Sequence, residues 1–124
     1  FDEIRKKWVR LTPEEWVRQN FIQWLIQEMN YPASMMSVEK GIQLHELDKR
    51  YDLLVYDRTH QPWLLVECKA QTVPLTEKVL SQALRYSISK PVEYISITNG
   101  VDCLLVKKKE SQLEKLTEFP SFPL

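Results

Sequence analysis

The chain is poor in glycine, cysteine and histidine, and it has no surplus of either charge. Two glycines and seven prolines in 124 residues do not make a low-complexity chain. Two cysteines, Cys68 and Cys103, are too few for a disulfide framework. Each lies in an apolar run and reads as a buried, reduced thiol of a cytoplasmic protein. His45 and His60 are isolated, and no CxxC or HxxxH spacing exists, so structural zinc is not expected. Lys plus Arg is 17 and Asp plus Glu is 17, which excludes a protein that holds nucleic acid by bulk positive charge. No apolar run reaches the ~18 residues of a membrane-spanning helix. No export signal is visible, no repeat of fixed period occurs, and no membrane partner is expected.

What remains is an ordinary globular composition, 44% hydrophobic and 27% charged, sized for a single domain over 1–124. Thr12-Pro13-Glu14-Glu15 reads as a helix start: Thr12 as N-cap, Pro13 in the first turn, Glu15 as the capping-box carboxylate. A helix over about 13–29 follows, with Val17, Phe21, Trp24 and Leu25 on one face and Ile22, Ile26 and Met29 widening it. Asn30-Tyr31-Pro32 ends it. Residues 37–44 read as a weak edge strand. Residues 51–57 and 62–69 read as a hairpin around a turn-rich loop. Thr76 caps a second helix over about 76–89, whose apolar face is Val79, Leu80, Ala83, Leu84 and Ile88. A strand over 92–98, the Asn99-Gly100 turn and a returning strand over 102–107 complete a core of about 11–107. Residues 108–124, with Pro120 and Pro123, read as a tail, strap or linker. The order α-β-β-β-α-β-β implies a layered α/β domain. Strand 62–69, the second helix and strand 92–98 form a βαβ unit whose strands are parallel.

The hairpin carries the chemistry. With 58–61 as the loop, Asp57 faces Pro62 and, counting back, Asp52 faces Glu67. Lys69 falls on the face of Glu67. Two carboxylates ~5 Å apart repel by roughly 3 kcal/mol at an effective dielectric of about 20, so they call for a compensating charge. Lys69 offsets part of this and a divalent cation offsets more. Mg²⁺ accepts such oxygen ligands, and the backbone carbonyl of Cys68 adds a third. Lys69 can then orient water or stabilise negative charge, which suits metal-assisted phosphodiester hydrolysis. On this view Asp52→Asn raises stability without metal, by removing the repulsion. The plain alternative is a set of solvated strand-end charges with an ordinary cross-strand pair. Gln82 and Tyr86, at i and i+4 on the second helix, either reach back over the hairpin end or form a polar stripe. Glu15 is either a third metal carboxylate or a capping residue with Arg18 as its local partner. Arg5, Lys6, Lys7 and Arg10, together with Lys107, Lys108 and Lys109, are either a basic rim or solvated surface.

The segments TPEEWVRQNFIQWL, RYDLLVYD, PWLLVECKA, QALRY and ITNG occur in that order across about 11–107. In this ordered set the chain resembles the PD-(D/E)xK nuclease superfamily. It is most similar to the N-terminal nuclease domain of type I restriction enzyme R subunits. The resemblance implies a restriction-endonuclease-like core, αβββαβ, with a mixed central sheet flanked by helices. It implies a DNA endonuclease dependent on Mg²⁺, with Mn²⁺ as a substitute. Asp52, Glu67 and Lys69 would be the catalytic triplet, with Gln82 and Tyr86 as the QxxxY element. Asp52, Glu67 and the Cys68 carbonyl would hold the metal, supported by Glu15. DNA and other restriction–modification subunits are the implied partners. Tyr51 stands where the superfamily often has proline. No GxxxxGK[ST] sequence occurs, so ATP-driven translocation does not reside in these residues. A catalytically silent nuclease-fold module that binds DNA or protein is the alternative. An RNA-processing nuclease would use the same chemistry, but no RNP-like aromatic platform is evident.

Overall fold

The computed structural model describes residue 4 and residues 12–38, 52–87, 91–110 and 112–123, with Tyr86 and Ser87 described by backbone alone. The elements are α1 (Pro13–Gln27), a 3-10 turn (Ala33–Met35), β1 (Met36–Val38), β2 (Leu53–Tyr56), β3 (Pro62–Cys68), α2 (Glu77–Ser87), β4 (Tyr94–Thr98), β5 (Cys103–Lys109) and β6 (Gln112–Leu116). Thr12 caps α1 as its sequence predicts, its hydroxyl accepting the Glu15 N–H at 3.1 Å. Asn30, in the left-handed region at φ 59°, turns the chain out of the helix. Thr76 performs the same service for α2, accepting the Val79 N–H at 3.3 Å. No helix among the described residues is long and apolar enough to cross a membrane.

The strands form one six-stranded sheet in the order β1-β2-β3-β4-β5-β6. The β3–β4 pair is parallel and the other four pairs are antiparallel. The parallel pair is the one joined through α2, as the βαβ pattern requires. Both faces of the sheet are covered. On one, Leu53, Val55, Leu64 and Val66 pack with Val17, Ile22 and Leu25 of α1. On the other, Leu54, Leu65, Ile95 and Val106 pack with Leu84 of α2. This two-sided burial explains why β2, β3 and β4 read as continuous apolar runs rather than alternating ones.

Three details depart from the sequence expectation. Asp57 does not face Pro62: Tyr56 does, and the register shifts between Val55 and Tyr56. The cause is the Asp57 carboxylate, which accepts bonds from the Thr59 and Gln61 N–H groups and the Thr59 hydroxyl, closing the loop on itself. The Asn99-Gly100 loop holds four residues rather than three, because Thr98 pairs with Cys103 and the returning strand starts one residue later than expected. Asn99 Oδ1 takes the N–H groups of Val101 and Asp102, and Gly100 supplies the positive φ of 91°. Residues 108–124 are not simply a tail: Lys108 and Lys109 finish β5, and Gln112–Leu116 add the sixth strand. That strand is short and mostly exposed, so its apolar signal is faint. The strap lies beyond it. Phe119 meets Phe21 and Trp24 edge-on, Phe122 meets Trp63 edge-on, and the Tyr31 hydroxyl donates to the Pro120 carbonyl. Residues 39–44, Ile88, and the cluster of Arg5, Lys6, Lys7 and Arg10 lie outside the described residues.

Both cysteines are free, but only Cys68 is buried. Cys103, at the exposed start of β5, lies 3.3 Å from the Ser96 hydroxyl. The expectation of two buried thiols is therefore corrected for Cys103, which begins its strand where the turn meets solvent. Burial pushes the Cys68 thiol far above its ordinary value, and partial desolvation also raises the exposed Cys103. Iodoacetamide at neutral pH is expected to label Cys103 slowly and Cys68 only after denaturation. Mass mapping that finds Cys68 labelled in the native protein would contradict this packing.

Candidate active site

A bridge of charges, Glu15–Arg18–Asp52, joins α1 to the start of β2, and a Glu67–Lys69 ion pair lies at the end of β3. The β2–β3 ladder runs in the predicted register through Leu53 and Val66 and stops there. One residue further, the Asp52 N–H bends to the Val66 carbonyl at 3.2 Å instead of pairing with Glu67. The Asp52 side chain fills the gap: Oδ2 accepts the Cys68 N–H at 2.7 Å. The carboxylate is thus fastened to the β3 backbone, between Glu67 and Lys69 in sequence. Lys69 is fastened by its own N–H, which donates to the Thr98 carbonyl of β4 at 2.8 Å. Its ammonium lies 2.9 Å from Glu67 Oε2.

Burial disfavours the Lys69 charge, but the Glu67 hydrogen bond and the charges of Glu67 and Asp52 outweigh it and raise the pKa above its ordinary value. Lys69 is therefore a fixed cation at neutral pH. It can neutralise developing negative charge or orient a water.

Arg18 supplies the link that the sequence did not reveal. One of its terminal nitrogens bonds Glu15 and the other donates to Asp52 Oδ1 at 2.9 Å. The local Glu15–Arg18 pair is the partnership expected at i,i+3. The reach to Asp52 crosses 34 residues and has no local signature. Glu15 is buried, and it also accepts from Gln19 at 3.1 Å. It connects to Asp52 through Arg18, and no group of three His, Cys, Asp or Glu side chains able to hold a metal exists among the described residues. Oxygen donors that could serve a hard cation at the ends of β2 and β3 are Asp52, Glu67 and the Cys68 carbonyl, with Glu15 linked to Asp52 through Arg18. Each carboxylate oxygen carries two acceptor sites, so the bonds to Arg18 and Cys68 do not exhaust Asp52. Two carboxylates and a carbonyl suit Mg²⁺, which keeps several waters of its own.

The remaining expected residues are less closely placed. Gln82 is exposed on α2, and no bond joins it to Asp52, Glu67 or Lys69 among the described residues. The side chain of Tyr86 lies outside the description. Lys107, Lys108 and Lys109 do not form a rim around this site. Lys107 pairs with Tyr94 at the start of β4, about four residues or roughly 13 Å down the sheet from Thr98. Lys107 and Lys109 also face Glu93 and Glu114 at 3.8 and 2.8 Å. A groove of about 420 Å³ adjoins the site at Thr98, with Trp16 and Trp24 exposed along it. Among the described residues its lining has Asp102 and no Lys or Arg.

The family described as type I restriction enzyme R protein N terminus (HSDR_N) matches residues 13–123, from the first residue of α1 through the strap. The chain belongs to that family. The HSDR_N match includes β6 and residues 117–123, so the segment expected as a tail is part of the family's shared region. Membership ties this HSDR_N chain to restriction–modification. No curated protein matches the chain significantly.

Proposed function

We propose that this HSDR_N domain is a Mg²⁺-dependent DNA endonuclease of the PD-(D/E)xK type, a single domain over residues 1–124 with a restriction-endonuclease-like core over about 11–107. The observation that carries the reading is the junction at the ends of β2 and β3. There Asp52 is anchored to the Cys68 amide at 2.7 Å, while Lys69 pairs with the neighbouring Glu67 at 2.9 Å. Two acids and a fixed cation thus stand at the end of a buried parallel pair.

In this reading Asp52, Glu67 and the Cys68 carbonyl hold Mg²⁺, which supplies Lewis acidity toward a phosphodiester when bound. Asp52 is kept in orientation by the Cys68 N–H. Lys69 retains its proton and stabilises the negative charge that builds on the phosphate during hydrolysis. Gln82 and Tyr86 of α2 would act as supports to the triplet, with a smaller effect on rate. Sequence specificity would come from other restriction–modification subunits, in keeping with a chain of zero net charge.

The test is cleavage of supercoiled, linear and single-stranded DNA by the purified chain, in Mg²⁺, in Mn²⁺ and in EDTA. Nicking or linearisation that depends on the metal and disappears in EDTA is expected. Cleavage that persists unchanged in EDTA, or binding of DNA without any turnover in either metal, would sink the proposal.

A further inference from the structure

We infer that Arg18 is the resident counter-cation of this acidic site, and that its charge sets how tightly a divalent cation can bind Asp52. The inference rests on the nuclease reading above and goes further, to how the site is kept when no metal is bound.

Arg18 is largely sequestered, its side chain 12% exposed, and its guanidinium forks between two elements. One arm holds Glu15 on α1 and the other holds Oδ1 of Asp52 on the sheet. Oδ1 belongs to the carboxylate that the cation needs. Around it, Glu15, Asp52 and Glu67 are the acids and Arg18 and Lys69 the cations, and the charge of Glu14 also reaches Lys69. Removing Arg18 makes the site more negative by one charge and strengthens the field on an arriving divalent ion.

Two features make Arg18 a placeholder rather than a strut. Asp52 does not depend on it for orientation, because Oδ2 is independently held by the Cys68 N–H at 2.7 Å. The guanidinium itself is incompletely satisfied, since its Nε is buried without a hydrogen-bond partner among the described residues. Arg18 is held by charge more than by a completed set of bonds, so a stronger cation competes with it directly. Arg18 is a positioning residue on this account: it touches the acids and not the substrate.

The test is calorimetric titration of Mn²⁺ into the metal-free protein, with no DNA present. Arg18→Met is expected to bind Mn²⁺ about tenfold more tightly than wild type, or about 1.4 kcal/mol. Arg18→Lys, which keeps the charge, is expected to stay within about threefold of wild type. Glu67→Gln should weaken binding, which locates the heat at this site. Equal or weaker binding in a folded Arg18→Met, equal tightening in both Arg18 variants, or no heat in wild type and Arg18→Met would each overturn the inference. If Arg18→Met does not fold, wild type still decides. The Arg18 Nε–H resonance is expected to shift on saturation with Mg²⁺, and a resonance that stays fixed overturns the role. Failure here with DNA cleavage intact removes only Arg18's role. Loss of cleavage with the affinity pattern intact removes only the nuclease reading.

Discussion

Replacing Lys69 by alanine is expected to reduce metal-dependent DNA cleavage by about 10²–10³-fold, the scale of losing one preorganised charge aimed at a developing anion. The fold should survive. The Lys69 N–H to Thr98 carbonyl bond is a backbone bond and persists in the variant. The lost ion pair with Glu67 is partly solvated, at 30% and 20% exposure, so its worth is at most about 1 kcal/mol. In EDTA the sign of the remaining stability effect is fixed by the raised Lys69 pKa. The pair contributes fully below the ordinary lysine value of 10.5 and is lost as pH rises through the higher folded value. The melting temperatures of wild type and Lys69→Ala should therefore differ slightly at neutral pH and converge in strong alkali. A Lys69→Ala protein that cuts plasmid at the wild-type rate removes Lys69 from the chemistry.

Asp52→Ala is expected to be the costliest single change at the site, about 2–3 kcal/mol in unfolding free energy. The acid is 20% exposed and serves two groups at once. Its loss leaves the Arg18 guanidinium, 12% exposed, with Glu15 as its remaining carboxylate. It also leaves the Cys68 N–H without its acceptor. A urea titration should show the midpoint moving down with an unchanged slope. Asp52→Asn should lie between the two, keeping shape and an acceptor while losing the charge opposite Arg18. The like-charge argument from sequence expected that variant to gain stability, but Arg18 reverses the sign. A metal-free Asp52→Asn more stable than wild type would show that the Arg18 bridge contributes nothing. One practical consequence is that Asp52 variants confound folding with function, whereas Lys69→Ala separates them.

Much of the fold was legible because its signals are local. Thr12-Pro13 starts α1, Thr76 starts α2, and the βαβ connection makes β3 and β4 parallel. The register of β2 on β3 followed from the loop between them, and it holds over Leu53, Leu54 and Val55. It failed at Asp57 because a carboxylate closed the loop, and it ended before Asp52 because another carboxylate took a backbone donor. Both failures come from acceptor side chains competing with the ladder, which hydrophobic pattern does not record. β6 escaped notice because an edge strand with Leu113 and Leu116 as its apolar residues has little periodicity to detect. Arg18 was visible as a helix neighbour of Glu15 and invisible as the partner of Asp52. Long-range pairing between single charges leaves no trace in spacing.

The anchoring of the Lys69 amide on Thr98 has a further meaning for synthesis on the ribosome. The hairpin with Asp52 and Glu67 can close early, but Lys69 gains its fixed position only when β4 arrives beside β3. A nascent chain that has not yet emerged past Thr98 holds its acids without a placed amine. This cluster of charges would thus stay incomplete until β4 has been delivered, a delay built into the topology of the parallel pair.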